Sequence, residues 1–388
     1  MNYDFNEYVE HRGYRSVKYD MAGHDKPDDV IPLWVGDMDF RSPPCVREEL
    51  ARLAEHGVLG YSYADDRYFE SLASWFGGRF GWHPRQEWLV NTTGVVNAIH
   101  IAIRGLTEPG DAIMIQEPVY HPFAEAIKFT ERRMVSSNLV LTPDGGYEID
   151  FDDFESKAAN RGVKLFILCN PHNPVGRVWT EAELRRLGEI CARHGIIVVS
   201  DEIHQDLIYP GHRHIVFAGI CEEFADMTIT CTAPSKTFNL AGLNLSNIFI
   251  SNRKLREGFV KEYDRSGMPH PGALGLAACK AAYDGGADWL GELLRYLEGN
   301  MEMIALASAD WPGARFRKPQ GTYFGWIDFT DLHLTDQDLS NFMTVRARVW
   351  LNDGYKFGSG GSGFMRINAG AAAGLLQEAL LRITTALN

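Results

Sequence analysis

Cysteine is scarce in this 388-residue chain, with six in all, and no two stand at the C-x-x-C spacing of a zinc site or redox pair. Cys169 and Cys231 lie in the apolar runs ILCNP and TITCTA, and the six together read as reduced core residues, not a disulfide framework. Positive charge is also short: 38 Lys and Arg against 51 Asp and Glu leave a formal net charge of −13. That balance argues against nucleic acid or an anionic membrane surface as a partner. No run approaches the roughly 20 apolar residues needed to cross a bilayer. The first residues, MNYDFNEYVEHRGYR, lack the apolar core of a signal peptide, so a cytoplasmic protein is expected. None of the thirteen histidines forms H-E-x-x-H. His212-Arg213-His214 follows Pro210-Gly211 and reads as an exposed polar turn, so no metal is expected. The one glycine-rich segment, GSGGSG at 358–363, is not followed by Lys-Ser or Lys-Thr and is no nucleotide P-loop. Nor does any strand lead into a G-x-G-x-x-G that opens a helix with an acidic residue about 20 positions on.

What is present is ordinary for a globular chain, at 45% hydrophobic and 23% charged residues. The length suits two domains, or one large domain with an appendage. Runs rich in Ile, Val and Leu at Trp88–Val90, Ala112–Gln116, Leu165–Cys169, Ile196–Ser200 and Met227–Thr232 read as strands. Between two of them, TEAELRRLGEICARHG reads as a helix. Thr180 and Glu183 form a capping box, Leu184, Leu187 and Cys191 share a face, and Gly195 suits a left-handed exit. Continuous apolar strands alternating with amphipathic helices imply an α/β fold: a mostly parallel sheet sandwiched by helices, over residues 45–285. Beyond it come a long amphipathic helix (289–309), strand-like TYFGWIDF and GFMRINAG, and a closing helix at 371–387. These suggest a smaller α/β domain made of residues 1–44 and 286–388, with GSGGSG as a mobile loop inside it.

Ligands of open α/β sheets bind beyond the carboxyl ends of the strands. There the chain places Glu117 and Tyr120, Asn170 and Asn173, Asp201 and His204, and Ser235-Lys236. Each alone has a plain explanation as a turn former, cap, core ring or solvated lysine. Together they match the needs of pyridoxal phosphate. Its aldehyde condenses with an amine such as Lys236. Its pyridine nitrogen pairs with a carboxylate such as Asp201, its ring oxygen with Asn173, and its ring face with Tyr120. Its phosphate seeks free N–H groups at a helix start, which Gly94 provides.

At this point the chain resembles the fold-type I pyridoxal-phosphate enzymes of the class I/II aminotransferase-like superfamily, specifically the cystathionine β-lyases of the MalY/PatB group. The resemblance runs nearly end to end. It rests on PLWVGDMDF (32–40), LGYSYA (59–64), EPVYHPF (117–123), NPHNPVGRVW (170–179), VVSDEIHQDL (198–207), APSKTFNLAGLNLSN (233–247), QGTYFGWIDF (320–329) and GSGFMRINAG (361–370). It implies Lys236 as the Schiff-base lysine, with Asp201, Asn173 and Tyr120 around the ring and His204 near the ring oxygen. Gly94, Val95 and Ser235 would hold the phosphate, with Tyr61 reaching it from the other subunit of a homodimer. Arg366 would fork the substrate α-carboxylate, and Gly36 would approach the substrate through its backbone.

Some positions depart from the wider pattern. Ala233 replaces a common serine, leaving Thr232 or Ser235 to compensate, and Asn244 stands where aspartate aminotransferases carry a phosphate-binding arginine. Gly36 replaces a usual alanine, and His204 a common tyrosine. The implied reaction is β-elimination from cystathionine or another cysteine S-conjugate, giving thiol, pyruvate and ammonia. The alternatives are an aminotransferase of amino acids and, in another class, a regulatory protein that keeps this fold and acts through a protein surface.

Overall fold

The computed structural model describes residues 3–21, 26–267 and 271–388. Its main sheet has seven strands: β1 (Leu89–Thr92), β2 (Ala112–Ile115), β3 (Arg133–Ser136), β4 (Val163–Cys169), β5 (Ile197–Asp201), β6 (Thr228–Thr232) and β7 (Ser246–Ile250). They lie in the order β1-β7-β6-β5-β4-β2-β3. Every pairing is parallel except the two made by β7.

The apolar strands are continuous because both faces are covered. Leu165 and Ile167 of β4 pack toward the helices Val95–Leu106 and Arg253–Arg265. Phe166 and Leu168, pointing the other way, meet the helices Phe151–Asn160 and Glu181–Arg193. The second of these starts as its residues demand. Thr180 and Glu183 form a reciprocal capping box, Leu184, Leu187 and Cys191 are buried, and Gly195 exits at φ +64°. The first strand begins one residue later than expected, because Trp88 closes a 3-10 turn under the Arg85 guanidinium.

A smaller antiparallel sheet follows, built from β8 (Arg315–Phe316), β9 (Phe324–Asp328), β10 (Asn352–Asp353) and β11 (Phe364–Asn368), in the order β8-β9-β11-β10. The helices Ala287–Ser308 and Ala373–Leu387 pack together beside it. The N-terminal segment joins this part of the molecule. Ile31–Pro32 pairs in parallel with Val349–Trp350, and Phe5 packs edge-on against Phe40 and Trp289.

The segment 358–363 is a loop inside this unit, as expected, but its glycines serve close packing and not slack. A Cβ on Gly358, at φ +92°, would fall 1.8 Å from Glu117 Oε1, and one on Gly361 would fall 2.1 Å from the Gly354 carbonyl oxygen. Ser362 Oγ and the Gly363 N–H both donate to Asp336. The His212–His214 turn also differs from its expectation. His214 is buried, with Nε2 2.8 Å from Glu202 Oε2 and its ring edge-on to Phe80.

Candidate active site

The parallel strands end in register, so their last residues are brought side by side. Asp201 closes β5 with Cys169 of β4 on one side and Cys231 of β6 on the other. Past β6 the chain makes one helical turn, Pro234–Thr237, that carries Lys236. This turn is fastened from below. Thr237 Oγ1 donates to Asp206 Oδ2, while Trp75 Nε1 and Arg79 hold the other oxygen of that buried carboxylate. Above these strand ends lies a cavity of about 430 Å³ that also receives residues from the small sheet and from the segment before residue 40.

Lys236 is half-buried at this boundary. Its Nζ donates to the Gly36 carbonyl oxygen at 2.6 Å, which Tyr323 Oη also approaches at 2.7 Å. Desolvation lowers its pKa from the ordinary lysine value to about 8, against the pull of Asp37. Asp201 moves the other way. Burial raises it to about 7, although its Oδ1 accepts the Ile203 N–H at 3.1 Å. A buried carboxylate this reluctant to ionise calls for a cationic partner.

Arg366 enters from the middle of β11. Nη1 donates to Asn173 Oδ1 and Nη2 to the Trp34 carbonyl oxygen, both at 3.0 Å. Its guanidinium lies 3.9 Å above the Phe324 ring and 5.0 Å from that of Phe357. Burial brings its pKa down to about 10, so it stays charged at neutral pH. His204 stands edge-on to Tyr323 and Phe324, and burial, with Lys236 and Arg366 adding to it, pushes its pKa well below the usual value. It is a neutral ring. Tyr120 lines the same cavity, its phenol kept protonated chiefly by burial.

Gly36, Gly94, Val95, Tyr120, Asn173, Asp201, His204, Ser235, Lys236 and Arg366 therefore meet in one cavity. Gly36 is close to what its position allows, since a Cβ there would come within 3.1 Å of Lys236 Nζ. Three expectations need adjustment. The Gly94 N–H already donates to Ser246 Oγ, which leaves Val95 and the residues after it to present free N–H groups. Thr232 Oγ1 donates to the Asn247 carbonyl oxygen, so Ser235 is the hydroxyl that remains where Ala233 departs from the common serine. Asn170 and Glu117 do not line the cavity; the first donates to the Ile215 carbonyl oxygen, and the second packs under Gly358. Tyr61, expected at the site of another subunit, is fully exposed in its own chain and lies outside that chain's cavity.

Two asparagines that sequence reasoning passed over hold the segment before residue 40 in place. Asn368 Nδ2 donates to the carbonyl oxygens of Val35 and Asp37, at 2.6 and 2.7 Å. Asn239, at φ +57°, accepts the Met38 N–H and donates to the carbonyl oxygens of Met38 and Phe40. The left-handed backbone of Asn239 is a feature asparagine tolerates, but no local pattern marks either residue in advance.

The donor set fits pyridoxal phosphate. A partly deprotonated amine faces the cavity together with a carboxylate that lacks a counter-ion. Asn173 has its oxygen taken by Arg366 and can offer its NH2 to a ring oxygen. Arg366 Nε, His204 Nδ1 and Asn97 Oδ1 are buried without protein partners.

Comparison with known proteins agrees with this geometry. The family model for aminotransferase class I and II matches residues 28–383. The chain belongs to that family. It is 43% identical to the cystathionine β-lyase PatB of Bacillus subtilis (strain 168), over the full length of both. Among solved structures it is similar to cystalysin from Treponema denticola, which contains a pyridoxal 5′-phosphate cofactor, at a TM-score of 0.97 and 38% identity over 100% of this chain and 99% of that one. The PLP-bound C–S lyase from Staphylococcus hominis superposes at a TM-score of 0.93 with 32% identity, over 100% of this chain and 98% of that one.

Proposed function

We propose that this chain is a pyridoxal-phosphate-dependent carbon–sulfur β-lyase that converts cystathionine or another cysteine S-conjugate to thiol, pyruvate and ammonia. The observation that carries the reading is Lys236, a half-buried amine whose pKa desolvation lowers to about 8, set in one cavity with Asp201 and Arg366. When bound, pyridoxal phosphate supplies an electron-withdrawing ring that makes the substrate Cα–H acidic. The chain's own groups do the rest. Arg366 binds the α-carboxylate through its fork and fixes which Cα bond faces Lys236. Lys236 in its neutral form takes the Cα proton. Asp201 holds a proton on the pyridine nitrogen, an interaction that also relieves its own burial. Asn173 and Tyr120 orient the ring, while Val95, Ser235 and the start of the Val95–Leu106 helix receive the phosphate. Loss of the thiolate from Cβ follows, and addition of water gives pyruvate and ammonium.

We further infer a homodimer in which Tyr61 of the partner subunit reaches the phosphate. Support comes from the segment around it: Val58, Leu59 and Tyr63 are 70%, 60% and 83% exposed, an apolar run that a second copy would cover. Residues 45–285 are proposed as the cofactor-binding unit, and 1–44 with 286–388 as the smaller one. Six unpaired thiols suit a cytoplasmic setting, and no helix among the described residues is long and apolar enough to cross a membrane. The test is to incubate purified holoenzyme with L-cystathionine and assay pyruvate and free thiol. Both should appear in equal amounts without an added keto acid. Keto acid formed only when an amino acceptor is supplied, with no thiol, would establish an aminotransferase instead.

A further inference from the structure

Two aspartates stand two residues apart in the segment before residue 40, and their surroundings differ. Asp39 is satisfied: Lys18 Nζ lies 2.8 Å from its Oδ1, and Tyr19 Oη donates to its Oδ2 at 3.0 Å. Asp37 Oδ1 is buried with no hydrogen-bond partner among the described residues. Such an oxygen costs free energy unless a nearby charge compensates it. The backbone on both sides of Asp37 is fixed. Asn368 Nδ2 donates to the carbonyl oxygens of Val35 and Asp37, and the Met38 N–H donates to Asn239 Oδ1.

The charge beside Asp37 is Lys236. Its Nζ donates to the carbonyl oxygen of Gly36, one residue before Asp37, and of the charged groups around the amine Asp37 acts on it most strongly. The other ionisable groups facing Lys236 are Asp201 at the end of β5, His204 in the turn beyond it, Tyr323 ahead of β9 and Arg366 on β11. Asp37 is faced by Lys236, Tyr19 and Tyr323, and burial keeps both phenols protonated. Two carboxylates therefore reach the lysine. Asp201 lines the cavity and is committed to the pyridine nitrogen in the proposed function, whereas Asp37 lies outside the lining and is left for the amine.

We propose that Asp37 is a positioning residue for Lys236, the fixed counter-charge for the ammonium that Lys236 becomes when it takes the Cα proton. This rests on the lyase reading above. The proton passes from Cα to Nζ, the electron pair of the broken bond stays with the substrate, and Asp37 neither gives nor takes a proton. An anion held in a poorly hydrated site stabilises a nearby cation far more than it would in water. Asp37 therefore makes Lys236 a stronger base than burial alone would leave it.

The experiment compares wild type with Asp37→Asn, which keeps the shape and removes the charge. Full-length protein freed of cofactor is labelled with trace acetic anhydride across pH 6–10, and acetylation of Lys236 is read by mass mapping. Loss of the anion should move the labelling midpoint of Lys236 to lower pH and raise its labelling rate at pH 7 by about threefold or more. In the holoenzyme, the rise of kcat with pH should move to lower pH in the same way, with its plateau about tenfold lower because the base is weaker. A labelling midpoint that is unchanged or raised overturns the proposal. So does a lower kcat whose pH midpoint stays in place, the mark of a residue that only packs. Asp37→Ser, also uncharged, carries the same expectations should Asp37→Asn fail to fold. The labelling needs no substrate, so it is separate from the lyase reading, which absence of thiol and pyruvate from wild-type holoenzyme would overturn.

Discussion

The two sheets serve the site in different ways. The seven-stranded sheet offers residues at and just past its strand ends, Asp201 as the last residue of β5 and Lys236 one turn past β6. The four-stranded sheet offers a side chain from mid-strand: Arg366 is the third residue of β11, paired with Trp326 on β9 and Asn352 on β10. Strand ends leave backbone groups unpaired and can carry turns that aim short polar chains at a ligand. A mid-strand position is held by ladder bonds on both sides, so the reach must come from a long side chain. The proposed function puts the chemistry on the first sheet and the orientation of the substrate on the second.

Substitutions can break that assignment at either end. Lys236→Ala should have the largest effect, a loss of about 10³-fold or more in kcat for pyruvate release, on the scale of removing a general base. Arg366→Lys keeps the charge but removes the planar fork, and should lower kcat/KM by roughly 10- to 100-fold, mostly through KM, without changing the cofactor's visible absorbance. If Arg366→Lys instead lowers kcat at unchanged KM, the division between the sheets is wrong. The pH profile sharpens the same point. The proposed role of Lys236 needs the neutral amine, whose pKa is lowered to about 8, so kcat should rise with pH and level off above about 8. The smallest effect on turnover is expected from Gly358→Ala. At φ +92° and with Glu117 in the way, it should cost about 1–3 kcal/mol of stability, read as a fall of a few degrees in Tm, with kcat/KM nearly unchanged.

The same contrast explains what could be read from the sequence. Apolar strands followed by single polar residues are a local pattern, and Tyr120, Asn173, Asp201 and Lys236 could be picked out from it. Asn170 fits that pattern equally well, yet its amide serves the Ile215 carbonyl oxygen, because a strand end does not say which way each side chain turns. Arg366 has no such local mark. An arginine within FMRIN reads as a surface residue, and only the family resemblance singled it out. The partners that steady the site are long-range. Asp206 fastens the Lys236 turn from 31 positions away at Thr237, and Asn368 reaches Val35 across 333. The glycines of 358–363 suggested mobility because composition records missing side chains and not the Glu117 carboxylate that occupies their space.

The central claim is that Lys236 is the amine that holds the cofactor. Borohydride reduction of the holo-protein, followed by proteolysis and mass mapping of the modified peptide, tests it most directly. The account expects one stoichiometric phosphopyridoxyl group on Lys236, lost in Lys236→Ala. A reduced adduct on another lysine, or undiminished labelling of Lys236→Ala, would contradict it.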